Sequence, residues 1–464
     1  MSHAIVMGGS IAGLCAAAAL AKNFDRVTVL ERDADPGRAP RRGAPQGNHV
    51  HALLRRGQQI IEALLPGTFE ALRADGARAV DIGTGFRWFQ FGGWKVDCEV
   101  GVDMWLQSRP LLEHHVRESL RGLANVELRF ESAIDEPIHE GGRVRAVRMR
   151  DGEVLETDLV VDATGRGSRS PAWLEQWGYG RVKEQRVDIG LGYVSGLFEL
   201  PADRRIDSAL AVYQLPPDNR RGGLVFPIED GRVCVTLQGY HGEHPPTDLA
   251  GFKAWARGLA RPDLAELLEH ATLVGDLRRF NYPTQVRRCY GRMLRLPGNY
   301  LVMGDAMCSF DPTFGQGMSV SAIQAEALTQ LRPGMSTARW QRKLARMTLL
   351  PFSLTANEAH RWAETEGWQP PLGRFQRWYI AHVFEASCVD TLVYRRLMEV
   401  MHFLAPPAAL FAPRVMARLL TTEREPKPAS LAPAHPARLE LPGPSIAELR
   451  ARRFAPVQTR ATAR

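Results

Sequence analysis

The chain has 464 residues, 45% hydrophobic and 24% charged, which is an ordinary globular composition with room for two or three domains. Its net charge of +8 does not mark a nucleic-acid binder: residues 423–464 hold eight Lys/Arg against four Glu, half of the excess, and the other basic residues are dispersed without aromatic interleaving. Six cysteines with no C-x-x-C or metal-ligand spacing read as reduced thiols of a cytoplasmic protein. No secretory pattern or spanning apolar stretch is present.

At the start of the chain, HAIVMG reads as a strand, GGSIAG as a glycine-rich turn, LCAAAALAKN as a helix and RVTVLER as a second strand. The turn fits G-x-G-x-x-G with Ser10 in the middle glycine position, and Glu31 ends the second strand at the expected distance. Gly8 allows the tight turn, Ser10 is small enough to admit a pyrophosphate, and Gly13 lets the helix approach the sheet. Ile11 and Ala12 open that helix, whose N-terminus carries partial positive charge toward phosphates. Glu31 can accept from a ribose hydroxyl, and Arg32 follows it. A hydrolase elbow, G-x-S-x-G, is set aside because its last position is Ala12.

Residues 38–57 form an Arg-, Pro- and Gly-rich loop in which Arg41 and Arg42 can neutralise phosphate, and the amphipathic pattern of residues 51–65 predicts a helix. His49 and His51, two apart with no third ligand near, do not read as a metal site. Strands follow at NVELRFESAI and around a hairpin turn at Asp151-Gly152, and LVVDATG leaves Asp162 and Gly165 at a strand's carboxyl end, where ligands of open α/β sheets collect. The strand YLVMG runs into Asp305, and a loop with Pro312, Gly315 and Gly317 leads into a helix that includes Met318. A carboxylate beside a bare helix N-terminus suits a ligand with polyol hydroxyls and an atom that becomes negative. Reduced flavin has both.

The fingerprint from Gly8 to Gly13 with Glu31, DATG at 162–165 and GDAMCSFDPTFGQGM at 304–318 together resemble the FAD-dependent monooxygenases related to para-hydroxybenzoate hydroxylase. RRGAPQGNHVHALL and VVDATGRGSRSP are similar to a bacterial subgroup that includes polyether-pathway flavin epoxidases. The resemblance covers roughly residues 4–330. It implies FAD, reduction by NAD(P)H or a partner flavin reductase, and a flavin C4a-hydroperoxide that delivers one oxygen atom of O2 in specialised metabolism. By position, Gly8, Ser10, Gly13, Glu31, Arg41, Arg109 and Asp305 would hold FAD, and Pro312 to Met318 would flank its ring system. Asp162 would stand where the family's signature meets both FAD and pyridine nucleotide. Ser10 in place of Gly is a departure.

The expected fold is α/β: a Rossmann-like FAD-binding domain from residues 1–82, 108–180 and 283–335, a second β-sheet substrate domain from 83–107 and 181–282, a helical region 336–422, and a flexible Pro/Arg-rich tail 423–464. Phe86, Trp88, Phe89, Phe91 and Trp94 alternate along a strand, so only some can line a substrate pocket. GLGYVSG at 190–196 continues as strand and makes no second nucleotide loop. The run Phe403–Pro413 reads as buried, with contact to a membrane or a lipid-like substrate as the other reading. The expected activity is epoxidation or hydroxylation of a hydrophobic substrate. An FAD-dependent reductase or dehydrogenase of isoprenoid-like substrates and a non-catalytic flavin-binding accessory protein are the alternatives. Halogenation is disfavoured by the lack of a W-x-W-x-I-P stretch. No catalytic residue is assigned; His49, His51 and Tyr282 are the candidates for acid–base work.

Overall fold

The computed structural model describes residues 1–421 apart from Arg42 and Ala44, so the proposed role of Arg42 and the tail 423–464 lie outside the described residues. A parallel sheet is ordered Tyr300–Val302, Leu159–Asp162, His3–Met7, Arg26–Leu30 and Val126–Arg129. Its central strands are apolar on both faces, Ile5, Val6, Val160 and Val161 being fully buried, as a sheet covered by helices on both sides requires. The strands converge because the register sets Met7 beside Asp162 and Asp162 beside Val302. Their carboxyl ends therefore share one edge.

After Ile11, the helix Ile11–Leu20 is made of Ala, Cys, Gly and Leu, and this mostly small-residue helix packs against the helix Gly317–Leu328. A Cβ on Gly13 would stand 1.8 Å from the carbonyl oxygen of Gly8, so the turn closes only with glycine there. Gly8 has φ +103°, and a Cβ on it would stand 2.6 Å from the Ala163 carbonyl oxygen. The helix expected over residues 51–65 begins only at Arg55. Leu54 is extended, its N–H donates to Ser319 Oγ at 3.0 Å, and Arg55 N–H donates to His402 Nδ1 at 3.1 Å, so tertiary hydrogen bonds replace the first helical turn.

A second, mostly antiparallel sheet holds the long strands Glu184–Glu199 and Thr272–Arg288, then Arg232–Gly239, Arg221–Pro227, Ala209–Val212 and Phe86–Gln90. The helices Thr337–Met347, Leu349–Ala359, Gly373–Ala386, Thr391–Met401 and Pro413–Thr421 follow. The last three and the turn Pro407–Phe411 share an apolar core with Trp88 and Phe86 of the sheet. Among the described residues no helix is long and apolar enough to cross a membrane.

Candidate cofactor cleft and substrate cavity

At the carboxyl edge of the parallel sheet lies a cleft of about 520 Å³. Its walls include Gly8, Ser10, Ile11, Ala12, Glu31, Arg32, Arg41, Arg109, Gly165, Asp305, Pro312, Gly315, Gly317 and Met318. Gly13 lies beneath the turn rather than in the wall. Asp162 also does not face the cleft: it is fully buried, and its carboxylate accepts from Thr164 N and Oγ1 at 2.9 and 2.6 Å and from Ser168 and Ser170. These bonds fold the DATGRGS loop, so Asp162 shapes the cleft through its neighbours. The resemblance places Asp162 at the ligand; in this structure its carboxylate is turned to its own loop.

One end of the cleft is a packed charge cluster. Arg41 donates to Glu31 Oε2 at 2.7 Å and to Glu113 Oε2 at 3.1 Å; Arg109 Nε donates to Glu113 Oε1 at 3.0 Å. Arg109 also donates to Ser10 Oγ and to His51 Nε2, each at 3.1 Å, and Ser10 Oγ donates to Glu113 Oε1 at 3.0 Å. Burial alone would raise the Glu113 carboxyl, but Arg109 and Arg41 hold it below the usual carboxylate range. Glu113 was not singled out from sequence. Its signal was spacing, one helical turn after Arg109 in RPLLE.

Glu31 accepts from Gly9 N at 2.8 Å and Asp33 N at 3.0 Å as well as from Arg41. It thus ties the glycine turn to the second strand, with acceptor capacity left on Oε1. Ser10 sits at the helix N-cap without capping it, because its hydroxyl belongs to the Arg109–Glu113 pair. The first-turn N–H groups remain open to an anion.

Asp305 contrasts with Glu31. Its carboxylate lines the cleft with no hydrogen-bond partner among the described residues, and burial raises its pKa against the pull of Arg109, Arg166 and Arg288. Nearby, the helix Gly317–Leu328 begins at Gln316 with no side-chain cap, and Gln316 Oε1 is buried without a partner among the described residues. Arg166 stacks 4.0 Å over the ring of Tyr282, which also lines the cleft. An unpartnered acidic acceptor and two uncapped helix N-termini fit FAD: polyol hydroxyls for Asp305, a pyrophosphate for the first helix and an electron-rich ring edge for the second.

The loop 311–316 separates this cleft from a cavity of about 590 Å³, and Asp311 and Gln316 line both spaces. Asp311 accepts from Tyr240 Oη at 2.7 Å and Thr313 N at 2.9 Å, and burial raises its carboxyl. Of the aromatic strand, Trp88 and Phe91 face the cavity, while Phe89 and Trp94 pack into another core with Val212 and Phe252. The far wall comes from the C-terminal helices through Leu354, Ile380, Phe384, Leu397 and Val400, and from Trp362 in the turn after Ala359. Phe403–Pro407 and Leu410 also line it, so the apolar run of residues 403–413 is part of the cavity wall. Sequence reading had no way to pair this segment with Trp88, more than 300 positions away.

A small chamber of about 110 Å³ adjoins both spaces. His49 lines it, with Nδ1 2.7 Å from Ser195 Oγ, which is 2.6 Å from Thr236 Oγ1. Burial pushes His49 down to about 3; burial and Arg109 do the same to His51, also to about 3. Both imidazoles are therefore neutral near pH 7.

Residues 6–61 match the family of NAD(P)-binding Rossmann-like domains. The chain is 34% identical over 353 residues to Protein Rv3254 of Mycobacterium tuberculosis, covering 72% of this chain and 74% of that one. It is 25% identical over 359 residues to the FAD-dependent monooxygenase dpchE of Colletotrichum higginsianum, covering 70% of each. In fold it is similar to 2-methyl-3-hydroxypyridine-5-carboxylic acid oxygenase, with a TM-score of 0.58 and 20% identity over 78% of this chain and 90% of that one. Matched at 34% identity over more than two thirds of both lengths, the chain belongs to the same family as Protein Rv3254, and its dinucleotide turn and flavin-compatible cleft accompany a similarity over much of its length to an FAD-dependent monooxygenase.

Proposed function

We propose that this chain inserts one oxygen atom of O2 into a neutral, hydrophobic organic substrate held in the 590 Å³ cavity. The observation that carries the reading is adjacency: Asp311 and Gln316 belong to the walls of both the cleft and the cavity, so a substrate in the cavity would lie beside the part of the cleft that would hold the cofactor's ring. Bound FAD would supply the activation of dioxygen, after reduction by NAD(P)H or a partner flavin reductase. Asp305 would accept from the cofactor's hydroxyls, Ser10, Ile11 and Ala12 would meet its pyrophosphate, Arg32 and Glu31 its ribose side, and Pro312 to Met318 its ring. Residues 1–82, 108–180 and 283–335 would form the cofactor-binding part. Residues 83–107 and 181–282 would cover the substrate together with the helices after 336.

The cavity's chemistry supports a neutral substrate. Among the described residues lining it, Arg361 is the sole cation, and it is paired with Glu358 at 2.6 Å while packing over Phe91. A substrate carboxylate would find no free partner, and its desolvation would be uncompensated. Trp88, Phe91, Trp362 and Phe384 offer apolar surface that excludes water from the reacting centre. Both epoxidation of an alkene, as in the polyether-pathway enzymes the sequence resembles, and hydroxylation of a phenol suit such a wall. The free cysteines accord with a cytoplasmic enzyme.

The test is mass spectrometry of products formed under labelled dioxygen from a panel of neutral polyenes and phenols. One labelled oxygen per product, with no turnover in its absence, is expected. Anaerobic turnover would favour a reductase instead, and a flavin whose redox state no substrate alters would favour an accessory role.

A further inference from the structure

The helix Thr337–Met347 carries Arg339, Arg342, Lys343 and Arg346, spaced so that all four share one face. All four are exposed, none forms an ion pair among the described residues, and the helix contains no acidic residue. The opposite face is fixed: Trp340 and Leu344 are buried, and Gln341 bonds both backbone groups of Val302 on the sheet's edge strand at 2.8 and 3.0 Å. The basic stripe is therefore held rigidly outward.

Directly after it, at the start of the next helix, Leu349 and Leu350 are 46% and 41% exposed. Leu350 also lines the 590 Å³ cavity, as does Leu354 one turn on. Positive charge, exposed leucines and the rim of an apolar cavity thus follow one another along one short stretch of chain. Three arginines and a lysine without ion-pair partners among the described residues, Lys343 lying 4.9 Å over the Trp340 ring, complement a negative surface, and adjacent leucines need an apolar phase beside that charge. A bilayer of anionic phospholipid offers both at the right depth, whereas a nucleic acid offers only the charge.

We infer that this chain docks on an anionic lipid surface through the basic stripe of residues 339–346, with Leu349 and Leu350 entering the headgroup boundary. The lipid contact stands on charge and exposure alone. Only its consequence, that an apolar substrate enters the cavity past Leu350 from the bilayer, rests on the function proposed above.

The experiment is co-sedimentation of the FAD-loaded protein with vesicles of phosphatidylcholine alone and of phosphatidylcholine with one quarter phosphatidylglycerol. No substrate or turnover is involved, so its failure is separable from that of the proposed activity. Binding only to the anionic vesicles is expected. The triple variant Arg342→Glu/Lys343→Glu/Arg346→Glu should bind about a hundredfold more weakly, from about fivefold per lost basic residue. Leu349→Ser should lower binding further at raised salt, where the charge attraction is screened. Equal binding of wild type and triple variant would overturn the inference. So would a Leu349→Ser variant unchanged on vesicles while duplex DNA binds with the same dependence on the three basic residues, which would mark a general polyanion surface. A wild-type dimer in light scattering that the triple variant converts to monomer would assign the stripe to contact between copies instead.

Discussion

Arg41 and Glu113, 72 positions apart, form an ion pair at 3.1 Å in which each residue is less than one-tenth exposed. Arg41 reaches on to Glu31 and Glu113 to Arg109 on its own helix, so four charges from three separate segments close one end of the cleft. A buried pair of this kind adds little net stability over apolar packing, but removing one partner leaves uncompensated charge. Glu113→Gln should therefore destabilise the apoprotein by about 3 kcal/mol, read as a shift in urea-unfolding midpoint at unchanged slope. An unchanged midpoint would show that solvent, not Glu113, neutralises the two arginines.

The glycine turn makes a steric prediction. Because a Cβ at residue 13 would overlap the Gly8 carbonyl oxygen, even Gly13→Ala must push the helix Ile11–Leu20 off the sheet. A loss of stability of about 3 kcal/mol or more, with poor soluble yield, is expected. Thermal unfolding of the purified variant checks it.

Acid sensitivity follows from the two histidines. Their folded-state pKa values, about 3, lie below the ordinary 6.5, so the unfolded chain binds protons that the folded chain refuses. The associated stability is complete above pH 6.5 and is lost as pH falls toward 3. By pH 5 each histidine should have cost about 2 kcal/mol. His49→Gln should flatten the fall between pH 6.5 and 5 by that amount, as measured by unfolding at a series of pH values.

The cavity can be filled without touching the cleft. Leu354→Trp adds bulk to the substrate wall from a helix that does not line the cofactor cleft. FAD affinity should change by less than about twofold, while substrate-dependent flavin reduction or oxygen transfer should fall by about tenfold or more. Loss of FAD together with activity would mean that the two spaces are not separate.

What could be read from the sequence was what local chemistry dictates. The turn at Gly8–Gly13, the acid at Glu31 and the Asp305–Gly317 stretch each carry their signal within a few residues, because tight turns and helix starts depend on residue type at fixed offsets. The spacing of DATG likewise marked a strand end. Its Asp162, however, meets Thr164, Ser168 and Ser170, and no local pattern tells whether a buried carboxylate faces its own loop or a ligand. The substrate wall was hidden for another reason. Trp88, Tyr213, Phe384 and Leu397 meet only through tertiary packing, and an amphipathic helix shows that one face is buried without showing what covers it. The residues of 51–54, helical by pattern, lost that turn to hydrogen bonds with Ser319 and the 402 imidazole.

Equilibrium titration of the apoprotein with FAD, comparing wild type with Asp305→Ala, tests the central claim most directly. One FAD per chain is expected, with the variant's Kd raised about 5- to 150-fold, corresponding to about 1–3 kcal/mol for a charged acceptor withdrawn from ligand hydroxyls. Absence of FAD binding by the wild type, or the same affinity in both proteins, would contradict the account.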